Sequence, residues 1–298
     1  MLIFSGSSNT SLARKIAKDL GKNLSKLEIV TFPDKENRIR VIDKVLDQDV
    51  VVVQSTGVSP NRYYIELFLI LDSLKRSGAK SITLVIPYLG YQRQDHIFRD
   101  GEAVSIEVII KIIEGLGVGR VISFDLHSIK IPEFFKVPIV QLSALPVFAK
   151  EIEKMKTTDL VLVSPDMGGI RRIKLLAEQL GEKIPCISIE KNRDLNTGEV
   201  ESTKINGEVK KTAVIVDDVI STGQTLISAA NLLKKNGAEE IYVMATHGIF
   251  ASDAPTALEN STIKKVIVSD TIEVRPNRRF DKLQIVSIAN LIVDELRQ

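Results

Sequence analysis

The sequence predicts an α/β protein of two tandem domains, each a mainly parallel sheet flanked by helices. Short β-rich runs alternate with helical stretches almost throughout. Strand and helix in strict turn build right-handed βαβ units, whose parallel sheets are covered on both faces. At 298 residues the chain is long for one domain and comfortable for two, each large enough to bury its own core. The chain also echoes itself. LDSLKRSGAKSITLVIP (71–87) aligns without gaps on ANLLKKNGAEEIYVMAT (230–246), each a helix end, a Gly-Ala turn and a strand. Periodicity common to all βαβ units is the other source of such a likeness.

In order, LIFSG is a strand followed by the helical LARKIAKDL, and VVVQS, a run of valines, is a strand followed by the helix YIELFLILDSLKRSG. ITLVIPYL and RVISFDL are strands on either side of the helical VSIEVIIKIIEGLG. A break at about 141–156 separates this half from the next. There DLVLVSP precedes GGIRRIKLLAEQLG, CISIE follows, AVIVDD precedes TLISAANLLKKNG, and IYVMATHG and KKVIVSD are further strands. β-Branched runs suit buried parallel strands, and KLQIVSIANLIVDELRQ (282–298) has the amphipathic period of a closing helix, placed at 283–298. The expected domains are 1–143 and 144–282.

Composition narrows the function. Forty Lys and Arg against 38 Asp and Glu leave an excess of only two, which does not suggest a polyanion partner, and there is no basic block, so small substrates are expected and no nucleic acid. Cys186 is the sole cysteine, which rules out a disulfide within one chain and reads as a buried, inert thiol in a reducing compartment. MLIFSGS lacks a basic leader region and no apolar run approaches a membrane span, so the expected setting is cytoplasmic, away from membranes.

The chemistry concentrates in VIVDDVISTGQT (214–225). Val214, Ile215 and Val216 form a strand, so Asp217 and Asp218 fall at its carboxyl end, where ligands of open α/β sheets bind. Ser221, Thr222, Gly223, Gln224 and Thr225 lead into a helix, setting hydroxyls and free backbone amides around an anion. Two carboxylates beside that cradle suit the vicinal hydroxyls of a ribose whose 5-phosphate fills it. A plain strand ending in a helix cap is the alternative. Where this half has Asp217 and Asp218, the echo puts Gln54 and Ser55 in the first.

Further segments follow strands. In SPDMGGIRR (164–172), Asp166 ends a strand and Gly168 and Gly169 let the backbone approach a diphosphate, with Asp166 a cation ligand and Arg172 a phosphate contact; the other reading is a simple helix-start turn. In IPYLGYQRQDHIFRDGE (86–102), Arg93, Gln94 and Asp95 suit a nucleotide, or else a solvated charged loop. SFDLHS puts Asp125 and His127 at another strand end, where a structural histidine is the commoner use. In FPDKENRIR (32–40), Phe32 offers a ring to stack on, and Asp34 and Glu36 offer acceptors. In IEKNRDLNTGEVE (189–201), Lys191 and Arg193 follow a strand and open a polar stretch of the kind that forms a mobile lid. Either of these last two reads equally as a surface loop.

Taken in this order, FPDKE, GYQRQD, FDLH, SPDMGG, EKNR and VDDVISTGQT resemble the ribose-phosphate pyrophosphokinases over nearly the whole chain. The resemblance implies two phosphoribosyltransferase-like domains with the active site between them. It also implies transfer of the β,γ-diphosphoryl group of ATP to the 1-hydroxyl of ribose 5-phosphate, with magnesium (Mg2+) required. By it Asp217, Asp218, Ser221, Thr222, Gly223, Gln224 and Thr225 bind ribose 5-phosphate, and Asp166, Met167, Gly168 and Gly169 form the pyrophosphate loop. Phe32, Asp34 and Glu36, reaching from a neighbouring subunit, join Arg93, Gln94 and Asp95 at ATP. His127 and Asp166 are metal-associated, and Lys191 and Arg193 are the catalytic cations. A homo-oligomer with the dimer as minimum unit follows, and the final helix returns to the first domain.

SIKIPEFF after FDLH, HIFRDGE after RQD and VISTGQT in the sugar loop depart from the familiar bacterial and animal forms and look closer to shorter archaeal ones, which puts hexamer formation and control by phosphate or ADP in question. The competing readings are a non-catalytic regulatory relative, a base-salvage phosphoribosyltransferase and, more distantly, a nucleic-acid-binding protein.

Overall fold

The computed structural model describes residues 1–181, 184–193 and 200–298, without side chains at 191–193 and 200–203. The chain divides into two compact units. The first is Met1–Leu142 with Thr271–Glu273 and Ile288–Gln298; the second is Ser143–Asp270 with Val274–Ser287.

The first unit runs β1 (Leu2–Ser5), α1 (Thr10–Asp19), β2 (Leu27–Thr31), β3 (Asn37–Val41), β4 (Asp49–Val53), α2 (Pro60–Arg76), β5 (Ser81–Val85), α3 (Ser105–Gly115), β6 (Arg120–Phe124) and β7 (Ile139–Leu142). Its main sheet, in the order β1-β4-β5-β6-β7, is parallel throughout. Val50, Val51, Val52 and Val53 are buried, as a strand covered on both faces requires. α1 begins where the Asn9 side chain accepts the Leu12 N–H at 3.3 Å, and it buries Leu12, Ala13, Ile16 and Ala17, the apolar stripe of a 3.6-residue period. α3 does the same with Ile106, Ile110 and Ile113. β2 and β3 form a separate antiparallel hairpin, so the stretch 32–40 is a hairpin tip and the start of a strand.

The second unit runs α4 (Leu145–Glu153), β8 (Leu160–Ser164), α5 (Ile170–Gln179), β9 (Cys186–Arg193), β10 (Val200–Asn206), β11 (Thr212–Ile220), α6 (Gln224–Lys235), β12 (Glu240–Gly248), α7 (Ala254–Glu259), β13 (Lys265–Ser269) and β14 (Leu283–Val286). Its sheet has the order β10-β9-β8-β11-β12-β13-β14, parallel except where β10 turns back on β9. Val161, Val163, Ala213 and Ile215 at its centre are fully buried with Leu226, Ala229 and Leu233 of α6.

The internal echo is physical. α2 and α6 end at the aligned Arg76 and Lys235, and β5 and β12 begin at the aligned Ser81 and Glu240. Between them Gly78 and Gly237 adopt φ of +82° and +100°, and the next amides, Ala79 and Ala238, close the helices on Leu74 O and Leu233 O at 3.2 and 3.1 Å. This is the left-handed helix stop that only glycine adopts without strain.

The structure corrects several boundaries. The expected helix over 283–298 is a strand, β14, paired in register with β13, followed by a short helix, α8 (Ala289–Leu296). The edge of β13 takes Leu283 to Val286 because backbone pairing there outweighs the helical period. α8 belongs to the first unit, where Arg120 pairs with Glu295 and Arg297 donates to Asp19 O at 2.8 Å. The break placed at 141–156 narrows to the junction after Leu142, since Leu145–Glu153 is α4. Cys186 is half-buried and not fully enclosed, and burial raises its thiol pKa.

Candidate active site

Asp217 and Asp218 lie within β11, which continues to Ile220, so the strand is longer than its apolar run implied. Successive residues of a strand face opposite sides, yet both acids are held by one cation. Arg172, on the first turn of α5, places Nη1 at 3.5 Å from Asp217 Oδ1 and 3.8 Å from Asp218 Oδ1, with 19% of its side chain exposed against 18% and 7% for the acids. The Asp218 N–H donates to Asp217 Oδ1 at 2.9 Å. Burial first, then the Asp218 charge, pushes the Asp217 carboxyl well above its ordinary value. Arg172 opposes them and Asp166 adds a smaller push upward. Arg172, read from sequence as a phosphate contact, here neutralises the acid pair.

Beyond β11 the chain reaches α6 through Ser221, Thr222 and Gly223. Gly223 caps the helix at φ +79° with no side-chain hydrogen bond, and a Cβ there would meet Leu258 at 3.2 Å. The first-turn amides of α6, with Gln224 and Thr225 in that turn, thus face an end without a side-chain cap, where helix geometry favours an anion.

The neighbouring loop follows β8. Ser164 Oγ donates to Asp166 O at 2.6 Å, and the Gly169 N–H donates to Asp166 Oδ1 at 3.1 Å. A Cβ on Gly169 would fall 2.5 Å from Ser164 Oγ and one on Gly168 would lie 3.3 Å from Asp166 Oδ1, so the turn has no room for a side chain at the first position and little at the second. Met167 is 60% exposed, with Ser188 Oγ donating to its sulfur at 3.5 Å. β8 pairs directly with β11 in parallel, so the acid pair, the loop at 221–225 and this glycine loop form one cluster at the carboxyl end of the sheet's central strands. Lys191 and Arg193 do not follow their strand as expected but lie in β9, their backbones paired with Ser202 and Val200. Their side chains, and the expected lid at 194–199, lie outside the described residues.

The remaining candidates belong to the first unit. Asp95 pairs with His96 Nδ1 at 2.7 Å. Burial pushes the Asp95 carboxyl up, and hydrogen bonds from His96 and Ser128 outweigh it, leaving a lowered pKa. Arg93 is exposed, and Gln94 Oε1 accepts from Ser105 Oγ at 2.7 Å. The buried Gln92 accepts the His127 N–H at 3.0 Å, which joins the loop after β5 to the loop after β6. Sequence reasoning passed over Gln92 and Ser128, since an isolated polar residue carries no spacing signal. Asp125, directly after β6, has φ +33°, an uncommon conformation for a side-chain-bearing residue, and leaves His127 exposed. Phe32 is 39% exposed at the β2–β3 tip under the Arg38 guanidinium, and Glu36 N–H donates to Asp34 Oδ1 at 3.1 Å.

Strand order and the paired glycine-bearing loops place the chain in the phosphoribosyltransferase fold class. Residues 1–117 match the N-terminal domain of ribose phosphate pyrophosphokinase, and residues 196–298 match the phosphoribosyl synthetase-associated domain. Ribose-phosphate pyrophosphokinase of Fusobacterium nucleatum is 37% identical over 99% of this chain and 93% of its own length. That of Bacillus subtilis is 36% identical over 99% and 92%. The crystal structure of phosphoribosylpyrophosphate synthetase from Mycobacterium smegmatis superposes with a TM-score of 0.92 at 32% identity, covering 99% of this chain and 97% of that one. The chain belongs to the ribose-phosphate pyrophosphokinase family, a family of enzymes.

Proposed function

We propose that the chain makes 5-phosphoribosyl 1-diphosphate from ribose 5-phosphate and ATP, releasing AMP. The 1-hydroxyl oxygen attacks the β-phosphorus, the bond from that phosphorus to the oxygen bridging the α-phosphate breaks, and the hydroxyl proton is released. The carrying observation is the acid pair Asp217 and Asp218, bridged by Arg172 beside the glycine-capped start of α6, in a chain related to named pyrophosphokinases along 99% of its length.

The carboxylates accept from the ribose hydroxyls, while Ser221, Thr222, Gly223, Gln224 and Thr225 hold the 5-phosphate. Asp166, Met167, Gly168 and Gly169 take the diphosphoryl group. Lys191 and Arg193 neutralise charge on its equatorial oxygens, the main task in phosphoryl-type transfer. Arg93, Gln94 and Asp95, with Phe32, Asp34 and Glu36 from a neighbouring subunit of a homo-oligomer, bind ATP; the exposed Phe32 tip supports that reach. Magnesium favours oxygen donors and keeps waters, which the Asp166 carboxylate fits, with His127 as a further contact. No three His, Cys, Asp or Glu side chains group to hold a metal ion among the described residues. Magnesium held there would supply positive charge against the substrate phosphates. A cytoplasmic setting accords with the lone Cys186; no helix among the described residues is long and apolar enough to cross a membrane.

The test mixes purified protein with ATP, ribose 5-phosphate and magnesium and follows both products. Equal amounts of AMP and phosphoribosyl diphosphate are expected, and Lys191→Ala should raise the barrier by about 2–4 kcal/mol, mostly in kcat. Ligand binding without AMP would point instead to a regulatory relative, and ADP release would mean a different group is transferred.

A further inference from the structure

The first unit repeats the loops of the second with other side chains in them. The registers of β1 on β4 and of β8 on β11 bring Ser5 to the place of Ser164. The loop between β1 and α1 therefore answers to the loop between β8 and α5 that holds the cradle at 166–169, and Gln54 and Ser55 stand for Asp217 and Asp218. Carried back along the helices, the ungapped echo sets Glu66 of α2 where Thr225 opens α6.

Glu66 is fully buried, and three donors converge on its two oxygens. These are the Ser7 N–H at 2.6 Å, Ser7 Oγ at 2.6 Å and Gln54 Nε2 at 2.8 Å. The Gln54 oxygen in turn accepts from the Ser8 N–H at 3.2 Å and Ser8 Oγ at 2.7 Å, and a Cβ on Gly6 would fall on that oxygen. The amides and hydroxyls that a phosphate-binding loop turns toward its ligand are turned here toward a carboxylate. As mere filling, a buried carboxylate is a poor choice, because an apolar side chain would pack there without the desolvation cost. Its donors are those of an anion cradle.

We propose that Glu66 is a built-in anion occupying the first unit's copy of the diphosphate cradle, which closes that copy to phosphorylated ligands and leaves one diphosphate site per chain. The inference takes the role of 166–169 from the proposed function, but its test does not depend on activity.

Inorganic pyrophosphate is titrated calorimetrically into the full-length wild type, Glu66→Ala and Glu66→Leu. Glu66→Ala should bind one more equivalent per chain than the wild type, and pyrophosphate or formate should raise its Tm saturably. Glu66→Leu, with the space refilled, should gain neither. Wild-type stoichiometry in Glu66→Ala, with no anion-dependent rise in Tm, overturns the proposal. No binding to the wild type but one equivalent to Glu66→Ala would sink the diphosphate role of 166–169 and keep that of Glu66. Should Glu66→Ala not fold, Glu66→Gln presents an amide to the Ser7 donors, and exchange at the Ser7 and Ser8 amides should quicken by about tenfold or more. Unchanged protection there refutes the idea equally.

Discussion

Arg172→Met isolates the cation between the acids while keeping its apolar stem. At an effective dielectric of about 20, unit charges separated by the 3.5 and 3.8 Å seen here attract by roughly 4–5 kcal/mol per contact before the desolvation of the guanidinium is subtracted. Breaking such a largely buried pair leaves about 3 kcal/mol of net loss, or roughly 6–12 °C in the Tm of the second unit. The loss should depend on pH with a definite sign. Asp217 is already raised, by burial first and Asp218 next, and Arg172 opposes them. Without Arg172 the folded state would hold the Asp217 proton to still higher pH than the unfolded chain does. Stability is then retained below the ordinary carboxylate range and lost as pH rises through the raised value. Urea unfolding of wild type and variant at pH 5 and pH 8 should show the full penalty at pH 8 and a clearly smaller one at pH 5. Equal penalties at both, or less than about 1 kcal/mol at pH 8, would refute the coupling.

Asp217→Asn removes the costly charge itself, so it should raise Tm at pH 8, with a gain that shrinks toward pH 4, while synthesis falls by about a hundredfold or more; stability and function trade at this residue. Gly169→Ala drives a Cβ against Ser164 Oγ and should lower kcat/KM by about a hundredfold with little change in far-ultraviolet dichroism. Gly237→Ala meets no neighbour within 4 Å and should cost only its backbone strain, about 1 kcal/mol by denaturant midpoint, with activity kept. Gly78→Ala, which adds a contact with Leu46 Cδ1 at 2.6 Å, should cost more.

The strands and helices that carry chemistry were legible because each has its own local cause. Valine runs mark β4, the apolar stripe marks α3, and a Gly-Ala stop repeats after α2 and α6. The site motifs were legible because glycine loops and paired acids must lie close in sequence. Where partners lie far apart the reading failed. β14 forms because β13 presents an open edge, which no local period encodes. The β2–β3 hairpin likewise depends on cross-strand pairing, and Gln92 matters only through His127.

By itself, then, the sequence determined the alternation of elements, the internal repeat and the glycine stops that end two of its helices, since helix period, β-branching and glycine stops act over a few residues. Tertiary structure alone decided that Arg172 answers Asp217 and Asp218, and that Glu66 fills the first unit's cradle. Charge pairing and desolvation depend on distance in space, and parallel strands bring together residues that the chain keeps far apart.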